Sequence, residues 1–327
     1  MTDERDNRVI DVSGDVKWVG VLDYDIVTFD IVMETEYGTT YNSYLVNAEK
    51  IALVETVKEK FWPLYLEKLK SATDITRISY IILNHTEPDH SGSLRHLLEI
   101  VPDAVVVGSG NAIRYLSEMV PGSFNTLVVK DGDILDLGNK TLRFISAPNL
   151  HWPDSIYTYL EEERFLFTCD SFGAHFCHPE LFDDLAGDYS DSYKYYFDVI
   201  LKPFSKFMLK AIERISELDI KAICPGHGPV LRSTWREKVQ LAKDYALEYI
   251  ELTAERKIKN ILITYVSAYG YTRDMAAAIK LGVESGGNAS ATMIDIEKID
   301  MGDLESELVK CDALLVGSPT INQNTLL

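Results

Sequence analysis

Cysteine is scarce in this sequence of 327 residues, and no CxxC pair or dense pattern suggests a disulfide-rich scaffold. The four cysteines are Cys169, Cys177, Cys224 and Cys311. No uninterrupted apolar run reaches the roughly 18 residues of a membrane span. The acidic N-terminal stretch lacks the basic start and apolar centre of a signal peptide. We therefore predict a soluble, cytoplasmic protein.

Basic residues are also few relative to acidic ones. The chain has 32 Lys and Arg against 51 Asp and Glu, which gives a net charge of −19. Nucleic acids and anionic membranes attract basic surfaces, so we expect neither as a partner. Apolar residues make up 46% of the chain, which is normal for a globular protein. The length suggests about two domains of roughly 150 residues each.

Two sequence patterns predict where these domains lie. In residues 1–254, short apolar runs rich in β-branched residues alternate with loops, as expected for strands buried between helices. In residues 257–327, a regular strand–helix alternation predicts a parallel sheet with crossover helices. Helical periodicity in the first domain occurs over 56–70, 92–100, 192–217 and 234–256. Pro63 should kink the first of these helices or delay its start.

A block of metal-binding residue types follows the predicted strand ISYIILN. Within six residues lie His85, Glu87, Asp89 and His90, and Pro88 argues against a regular helix through them. Packing gives no reason to crowd two imidazoles and two carboxylates beside a buried strand. The block therefore predicts a metal site.

Three further candidates, His151, Asp170 and His227, lie at or just beyond the ends of predicted strands. If those strands are neighbours, their ends converge on one crevice, as in other α/β sheets. The combined set is large enough for two metals about 3.5–4 Å apart, with Asp170 as the natural bridge. Imidazole and carboxylate without thiolate suit iron or manganese at least as well as zinc.

The other histidines are not predicted to bind metal. We expect His96 to be a surface or packing residue and His178 to lie in a solvated loop. His175 is close enough to Asp170 in sequence to support a ligand without binding metal itself.

Two loops of the second domain have the composition of a phosphate and ring-binding site. The first joins a strand to a helix N-terminus, where hydroxyls and free amides suit a phosphate, although an ordinary capped turn would look similar. The second follows the third predicted strand. The candidate residues are Ser267, Tyr269, Gly270, Tyr271 and Thr272 in the first loop, and Ser318, Pro319, Thr320 and Asn322 in the second.

These motifs together resemble the flavodiiron proteins, which join a metallo-β-lactamase-like αββα domain to a flavodoxin-like domain. The matching segments are GTTYNSYLV, NHTEPDHSGSL, DGDILDLGNKTL, LHWPDS, CDSFG and CPGHGP. Zinc hydrolases of the same superfamily have His-x-His-x-Asp-His, whereas Glu87 replaces the second histidine here. In the family, that exchange accompanies iron.

The resemblance implies reduction of O2 to water or of NO to N2O at a non-haem di-iron site, with electrons delivered through FMN. It assigns one iron to His85, Glu87 and His151, the other to Asp89, His90 and His227, and the bridge to Asp170. Members differ in whether the histidine at the position of His90 binds metal. Many members have Phe-His-Gly where this chain has Phe29, Asp30 and Ile31, so we expect a substrate pocket of different polarity.

The resemblance also implies a head-to-tail homodimer, in which the flavin of one subunit faces the iron pair of the other. Electrons would come from a separate protein such as rubredoxin or a reductase, because this sequence has no rubredoxin-like CxxC pair. A flavodoxin sheet of order 2-1-3-4-5 needs two more strands than residues 257–327 provide. We therefore expect a fragment, with FMN bound by the intact protein and weakly or not at all by these residues.

Two alternatives stay open at this point. A di-zinc hydrolase would use a metal-bound hydroxide and need no flavin. A non-enzymatic redox or gas sensor would keep the metals but show no steady turnover.

Overall fold

The structure is a computed structural model that describes residues 8–29, 33–321 and 324–325. Contacts within the chain define two compact units, Met1–Leu247 and Glu248–Leu327. None of the helices in the described ranges combines the length and apolar character needed to cross a bilayer.

The first unit is built around two sheets and a series of helices. Its strands are β1 (Ile10–Asp11), β2 (Val16–Trp18), β3 (Val21–Asp23), β4 (Thr28–Phe29), β5 (Met33–Glu34), β6 (Thr39–Tyr41), β7 (Tyr44–Val46), β8 (Ile51–Val54), β9 (Ile78–Ile82), β10 (Val105–Gly108), β11 (Asn125–Val128), β12 (Ile134–Asp136), β13 (Thr141–Ser146), β14 (Ile156–Leu160), β15 (Phe165–Cys169) and β16 (Ala222–Pro225). Its helices are α1 (Trp62–Ala72), α2 (Pro88–Ser91), α3 (Leu94–Ile100), α4 (Gly110–Met119), α5 (Ser190–Tyr196), α6 (Ser205–Ile215) and α7 (Trp235–Leu252), the last of which continues past Leu247.

One sheet has seven strands in the order β1-β2-β7-β8-β9-β10-β11, and the other has five in the order β12-β13-β14-β15-β16. Strands β8 to β11 are parallel, as are β15 and β16. The predicted α/β class is therefore observed. Parallel neighbours end at the same edge of a sheet, so the loops after β15 and β16 lie side by side. The loop after β9, which belongs to the other sheet, meets them where His90 approaches Asp170.

Alternate residues of each central strand belong to different parts of the core. Ala52 and Val54 of β8 pack with residues of the five-stranded sheet, such as Phe144. Ile51 and Leu53 belong to a second cluster that includes residues of the helices. Because successive side chains of a strand point to opposite faces, one face of the sheet meets the other sheet and the opposite face meets helices.

Proline residues explain the delayed start of one predicted helix and the interruption of another. The helix expected over 56–70 starts at Trp62, with Pro63 in its first turn, where a missing N–H costs nothing. The prediction of one helix over 192–217 is wrong. After α5 the chain forms a π-helical turn over Phe197–Leu201 and a 3₁₀ turn over Lys202–Phe204, because Pro203 cannot continue a regular helix.

The second unit has the predicted strand–helix alternation. Its elements are β17 (Lys259–Tyr265), α8 (Tyr271–Ser285), β18 (Ala289–Asp295), α9 (Met301–Lys310), β19 (Ala313–Gly317), β20 (Thr320–Ile321) and β21 (Asn324–Thr325). β17 lies between β18 and β19, and all three are parallel. This 2-1-3 order places a topological switch point at the carboxyl ends of β17 and β19.

Candidate metal centre

The seven predicted metal ligands lie close together at one edge of the two sheets. His85 follows β9, Asp170 comes directly after β15, and His227 comes two residues after β16. His151 lies in the loop between β13 and β14. Their side chains form two groups, one of His85, Glu87, His151 and Asp170 and the other of Asp89, His90 and His227.

In the first group, the potential ligand atoms all lie within 4.8 Å of one another. Glu87 Oε2 is 3.0 Å from His151 Nε2 and 3.3 Å from His85 Nε2. Two imidazole nitrogens and a carboxylate oxygen therefore point to a common centre. Such a set fits one metal ion with positions left for other ligands.

The second group has the same character but is more deeply buried. Asp89 Oδ2 is 3.0 Å from His227 Nε2 and 3.4 Å from His90 Nε2. Both carboxylate oxygens of Asp89 are buried and have no hydrogen-bond partner among the described residues. A buried carboxylate without a partner is costly, and a metal ion would satisfy it.

Asp170 connects the two groups through its two oxygens. Its Oδ1 is 3.1 Å from His90 Nε2 and 3.6 Å from His227 Nε2. Its Oδ2 is 3.6 Å from His85 Nε2 and 3.7 Å from His151 Nε2. One oxygen faces each group, which is the arrangement that a carboxylate bridging two metals requires.

Pro88 marks a change of backbone conformation within the block. As expected, no regular helix runs through the whole block: residues 85–87 are not helical, and Pro88 occupies the first turn of the short helix α2. Proline is suited to that position because its fixed φ is helical and its missing N–H is not needed there. As a result, Asp89 and His90 lie on a helical turn, with Glu87 immediately before it.

Two glycines shape the loop that carries His227. A Cβ at Gly226 would lie 2.7 Å from His90 Cε1, so a side chain there would displace the imidazole. Gly228 has a φ of +77°, a conformation that favours glycine. His227 Nδ1 donates a hydrogen bond of 2.6 Å to the carbonyl of Thr40. Because a carbonyl only accepts, Nδ1 carries the proton and Nε2 is left to face Asp89.

Asp154 is a functional residue that sequence reasoning missed. It is fully buried, and both of its carboxylate oxygens lie 3.1 Å from His85 Nδ1. It also accepts hydrogen bonds from the backbone N–H and the hydroxyl of Thr86. A carboxylate behind a ligand histidine fixes the ring and its tautomer, so that Nε2 faces the metal. Its place in the segment LHWPDS was the available signal, but nothing in the sequence paired it with His85.

Two carboxylates of the centre, Asp170 and Glu87, are held in their ionised form. Burial alone would raise the pKa of Asp170, but the histidines that face it, above all His90, lower it well below its usual range. Burial acts on Glu87 in the same way, and hydrogen bonds from His151 and His85 lower its pKa far below normal. Both groups are therefore ready to bind a cation at neutral pH.

The pKa values of two imidazoles, His85 and His90, are shifted in the opposite direction. Burial alone would lower the pKa of His90, but the carboxylates of Asp89 and Asp170 raise it to about 10. Burial also opposes protonation of His85, yet its hydrogen bond to Asp154 holds its pKa well above the usual value. In the metal-free protein, protons thus balance the negative charge of the cluster.

Metal loading is therefore expected to release protons. His85 and His90 are protonated near neutral pH without metal and must become neutral to bind it, whereas Asp170 and Glu87 have no proton to lose. About two protons should leave per pair of metals, and affinity should rise with pH. Calorimetric titration in buffers of different ionisation enthalpy measures this release. An observed enthalpy that is the same in every buffer would contradict it.

Two aromatic side chains adjoin the centre on the side of His227. Tyr196 donates a hydrogen bond of 3.0 Å from its hydroxyl to Asp170 Oδ1. His175 is buried, its Nδ1 lies 2.8 Å from the hydroxyl of Thr39, and its ring centroid is 5.0 Å from that of His227. Burial, together with the neighbouring charge of His227, lowers the pKa of His175 well below its usual value, so its ring is neutral.

A cavity of about 300 Å³ reaches His175. Its other lining residues are Glu34, Glu36, Tyr37, Asp191, Ser192 and Tyr195. The two remaining histidines lie elsewhere: His96 stacks on Trp62 and pairs with Glu59, and His178 accepts a hydrogen bond from the backbone N–H of Glu180.

An apolar hollow adjoins the other side of the centre. Its lining residue Trp152 meets the ring of His85 edge to face at 5.1 Å between centroids, and Glu87 and His151 of the same metal group are partly exposed. The hollow measures about 540 Å³ and is lined by Tyr115, Glu118, Met119, Trp152 and Pro153. The first metal group is thus the one nearer to the surface.

The second unit brings its two candidate loops together. Tyr265 at the end of β17 pairs with Gly317 at the end of β19, so both loops start side by side. A Cβ at Gly317 would lie 3.1 Å from Thr272 Cγ2, which shows how closely they approach. Gly270 has a φ of +88° and immediately precedes α8.

The candidate residues of these loops surround one helix N-terminus. The hydroxyl of Ser267 accepts a hydrogen bond from the backbone N–H of Arg273, and the rings of Tyr269 and Tyr271 are exposed. Ser318, Pro319 and Thr320 follow β19 directly. Hydroxyls, a helix N-terminus and exposed aromatic rings at a switch point fit a flavin mononucleotide. Asn322, like Asp30 and Ile31 of the first unit, lies outside the described residues.

Comparison with known proteins relates both units to one group of enzymes. Residues 39–228 match the profile of a family described as "ODP family beta lactamase". The chain is 41% identical over 323 residues to "Flavo-diiron protein FprA2" of Clostridium acetobutylicum, across 97% of this chain and 80% of that protein. It is 38% identical over 316 residues to "Type A flavoprotein fprA" of Rhodobacter capsulatus, across 95% of this chain and 72% of that protein.

Solved structures give the same relationship. Rubredoxin oxygen:oxidoreductase from Desulfovibrio gigas superposes with a TM-score of 0.74 at 28% sequence identity, across 98% of this chain and 79% of that one. The similarity therefore runs through both compact units and not only through the part that carries the metal centre.

Proposed function

Because this chain belongs to the flavodiiron protein family, whose members are oxidoreductases with a di-iron centre and FMN, we propose that it reduces O2 to water, NO to N2O, or both. The observation that carries the proposal is the position of Asp170, which offers one oxygen to each of two histidine and carboxylate groups. His85, Glu87 and His151 would hold one iron, and Asp89, His90 and His227 the other.

The donor set supports iron. The two groups together supply four imidazoles and three carboxylates and no thiolate. Such mixed nitrogen and oxygen donors suit iron well, whereas structural zinc sites favour thiolates. Glu87 adds a negative charge where the related zinc hydrolases have a neutral histidine, which favours a metal that must also reach a higher oxidation state.

The protein contributes orientation, charge and the exclusion of water. Bound irons would supply the change of oxidation state and the open coordination positions for a diatomic gas. Asp154 and the Thr40 carbonyl hold His85 and His227 with Nε2 directed at the centre. Burial raises the pKa of Tyr196 well above its usual range, so its hydroxyl keeps its proton and stays a donor to Asp170.

The cavity that ends at His175 would serve as a route for gas, product and protons. Both reactions consume protons, four for each O2 and two for each pair of NO molecules. Glu34, Glu36 and Asp191 line this cavity and place carboxylates along it. The apolar hollow beside Trp152 would instead receive the flavin of a second subunit in a head-to-tail homodimer. A flat, apolar lining next to the partly exposed metal group suits an isoalloxazine ring.

Electrons would reach the FMN from a rubredoxin or a reductase in the cytoplasm. Rubredoxin is named in the Desulfovibrio gigas relative, and FMN would bind between the loops after β17 and β19. The carboxyl ends of these strands form the switch point at which nucleotides bind in doubly wound sheets.

The test is donor-driven gas consumption by protein loaded with iron, handled anaerobically and assayed with FMN in excess, so that weak binding of the flavin does not limit the rate. We expect consumption of O2 or NO with reduced rubredoxin as donor, and a specific rate that falls when dilution separates the dimer. The matched variant is Glu87→His, which recreates the hydrolase motif. It should bind two metals but lower the rate at least ~10-fold, because it changes the charge of one iron site. Ester hydrolysis by the zinc-loaded protein, with no gas consumption, would favour the hydrolase, and loaded protein without any turnover would favour the sensor.

A further inference from the structure

His90 differs from two other histidines of the metal centre in what lies behind its ring. His85 Nδ1 faces Asp154, and His227 Nδ1 donates to the Thr40 carbonyl. His90 Nε2 faces Asp170 and Asp89, but the buried Nδ1 has no hydrogen-bond partner within the described ranges. A ligand histidine without an acceptor behind it has neither its tautomer nor its orientation fixed.

Glu55 is placed to act as the hydrogen-bond acceptor behind His90. It follows β8 and is fully buried, and its backbone has a φ of +59°, which is unusual for a residue with a side chain. The backbone N–H of Glu55 donates to the carbonyl of Ile82, and its own carbonyl accepts from the hydroxyl of Ser43. These contacts hold the strained backbone and direct the side chain inward.

One oxygen of the Glu55 carboxyl group is free to pair with His90. Its Oε1 accepts a hydrogen bond of 2.9 Å from the backbone N–H of Asn84. Its Oε2 is buried and has no partner in the described part of the chain. A carboxylate oxygen of Glu55 and a ring nitrogen of His90 lie within 4.8 Å of each other. Two buried groups without partners, one acceptor and one donor, thus lie close enough for a small side-chain rotation to join them.

We propose that Glu55 is a positioning residue for His90: its free carboxylate oxygen accepts the Nδ1 proton and so directs the Nε2 lone pair to the metal held by Asp89 and His227. The inference rests on the proposed metal centre and explains how this chain commits His90 to metal binding. Gly226 contributes by leaving the space that the imidazole occupies, since a Cβ there would lie 2.7 Å from His90 Cε1.

Glu55 and His90 also influence each other electrostatically. Burial raises the pKa of Glu55 to about 8, and the charge of His90 is the largest influence that opposes the rise. Cys169 also lies within 4.8 Å of these two side chains, so a metal bound by all three is the competing arrangement. The Nε2 atom of His90 faces Asp89 at 3.4 Å and Asp170 at 3.1 Å, which assigns His90 to the group of Asp89 and His227.

The experiment is a titration of the metal-free full chain with Co²⁺, followed by visible absorption, for the wild type, Glu55→Met and Glu55→Gln. Methionine keeps the size of the side chain and removes the acceptor, whereas glutamine keeps a carbonyl oxygen at that position. We expect Glu55→Met to weaken one of the two binding steps at least ~10-fold and leave the other unchanged. Glu55→Gln should restore most of that loss.

A double variant distinguishes an effect of Glu55 on the His90 ring from a general effect on the fold. In a His90→Ala background, Glu55→Met should have no further effect on Co²⁺ binding, because the group through which Glu55 acts is gone. An equal loss in both backgrounds, or two unchanged binding steps in Glu55→Met, would overturn the proposal. A wild type that binds no Co²⁺ would instead overturn the metal centre itself.

A second measurement needs no change at Glu55. In the zinc-loaded, diamagnetic wild type, ¹⁵N NMR of the histidine rings, assigned with His90→Ala, reports which nitrogen of His90 carries the proton. A protonated Nδ1 and a metal-bound Nε2 are expected. A proton on Nε2 would overturn the proposal, even if Glu55→Met did not fold.

Discussion

Alanine in place of Asp170 is expected to leave at most one tightly bound metal ion per chain and to abolish gas reduction. The two oxygens of Asp170 face both groups of ligands, at 3.1 Å from His90 and 3.6 Å from His85. Its removal takes a ligand from each metal and the negative charge between two cations. Loss of a residue that merely supports a ligand costs about 10–100-fold in affinity, and loss of the bridge itself should cost more.

Metal content after extensive dialysis, together with donor-driven gas consumption, measures this effect. Asp183→Ala is the matched control, because Asp183 is also a buried carboxylate and accepts backbone hydrogen bonds from Ser233 and Thr234 far along the chain. That control should lower thermal stability while leaving two metals bound. An Asp170→Ala protein that keeps both metals at full occupancy would refute the bridging role.

Replacing Asp154 with leucine should weaken metal binding at the His85 site by about 100-fold and lower turnover in parallel, since carboxylates behind ligand histidines have effects of this order. Leucine has a similar size but cannot accept the proton on His85 Nδ1, which Asp154 holds at 3.1 Å. The ring would lose its fixed tautomer, and the hydroxyl of Thr86 would lose its acceptor.

Asparagine at the same position keeps one acceptor oxygen and is the control for shape. We expect Asp154→Asn to fall between the wild type and Asp154→Leu in the affinity of one binding step, measured by competition with a chelator. The other binding step should stay unchanged, because Asp154 contacts His85 and not His90 or His227. Equal weakening of both steps would show that Asp154 supports the fold and not one ligand.

The sequence was most informative where chemistry is local. His85, Glu87, Asp89 and His90 fall within six residues, and such a block has no explanation in packing alone. Regular alternation also predicted β17, α8, β18, α9 and β19, because each of these elements has a clear hydrophobic period. The helix boundaries near proline were harder to predict. The helical turn that begins at Pro88 and the interrupted helix around Pro203 are two examples.

Residues that support the ligands could not be predicted in the same way. Asp154, Tyr196 and Glu55 lie 69, 26 and 35 positions from His85, Asp170 and His90, respectively. Asp154 and His85 come from loops of different sheets, Tyr196 is carried by helix α5, and Glu55 and His90 follow the paired strands β8 and β9. Each is an ordinary residue in its own local sequence. Tertiary contacts therefore had to be seen before these roles could be assigned.

The central claim is that this set of ligands holds two irons, and elemental analysis of the chain tests it most directly. The protein is produced with ample iron, purified without oxygen and analysed for iron, zinc and manganese. The account predicts about two irons per chain, as a two-metal site requires. Zinc at both positions with no iron, after that precaution, would contradict it and favour the hydrolase.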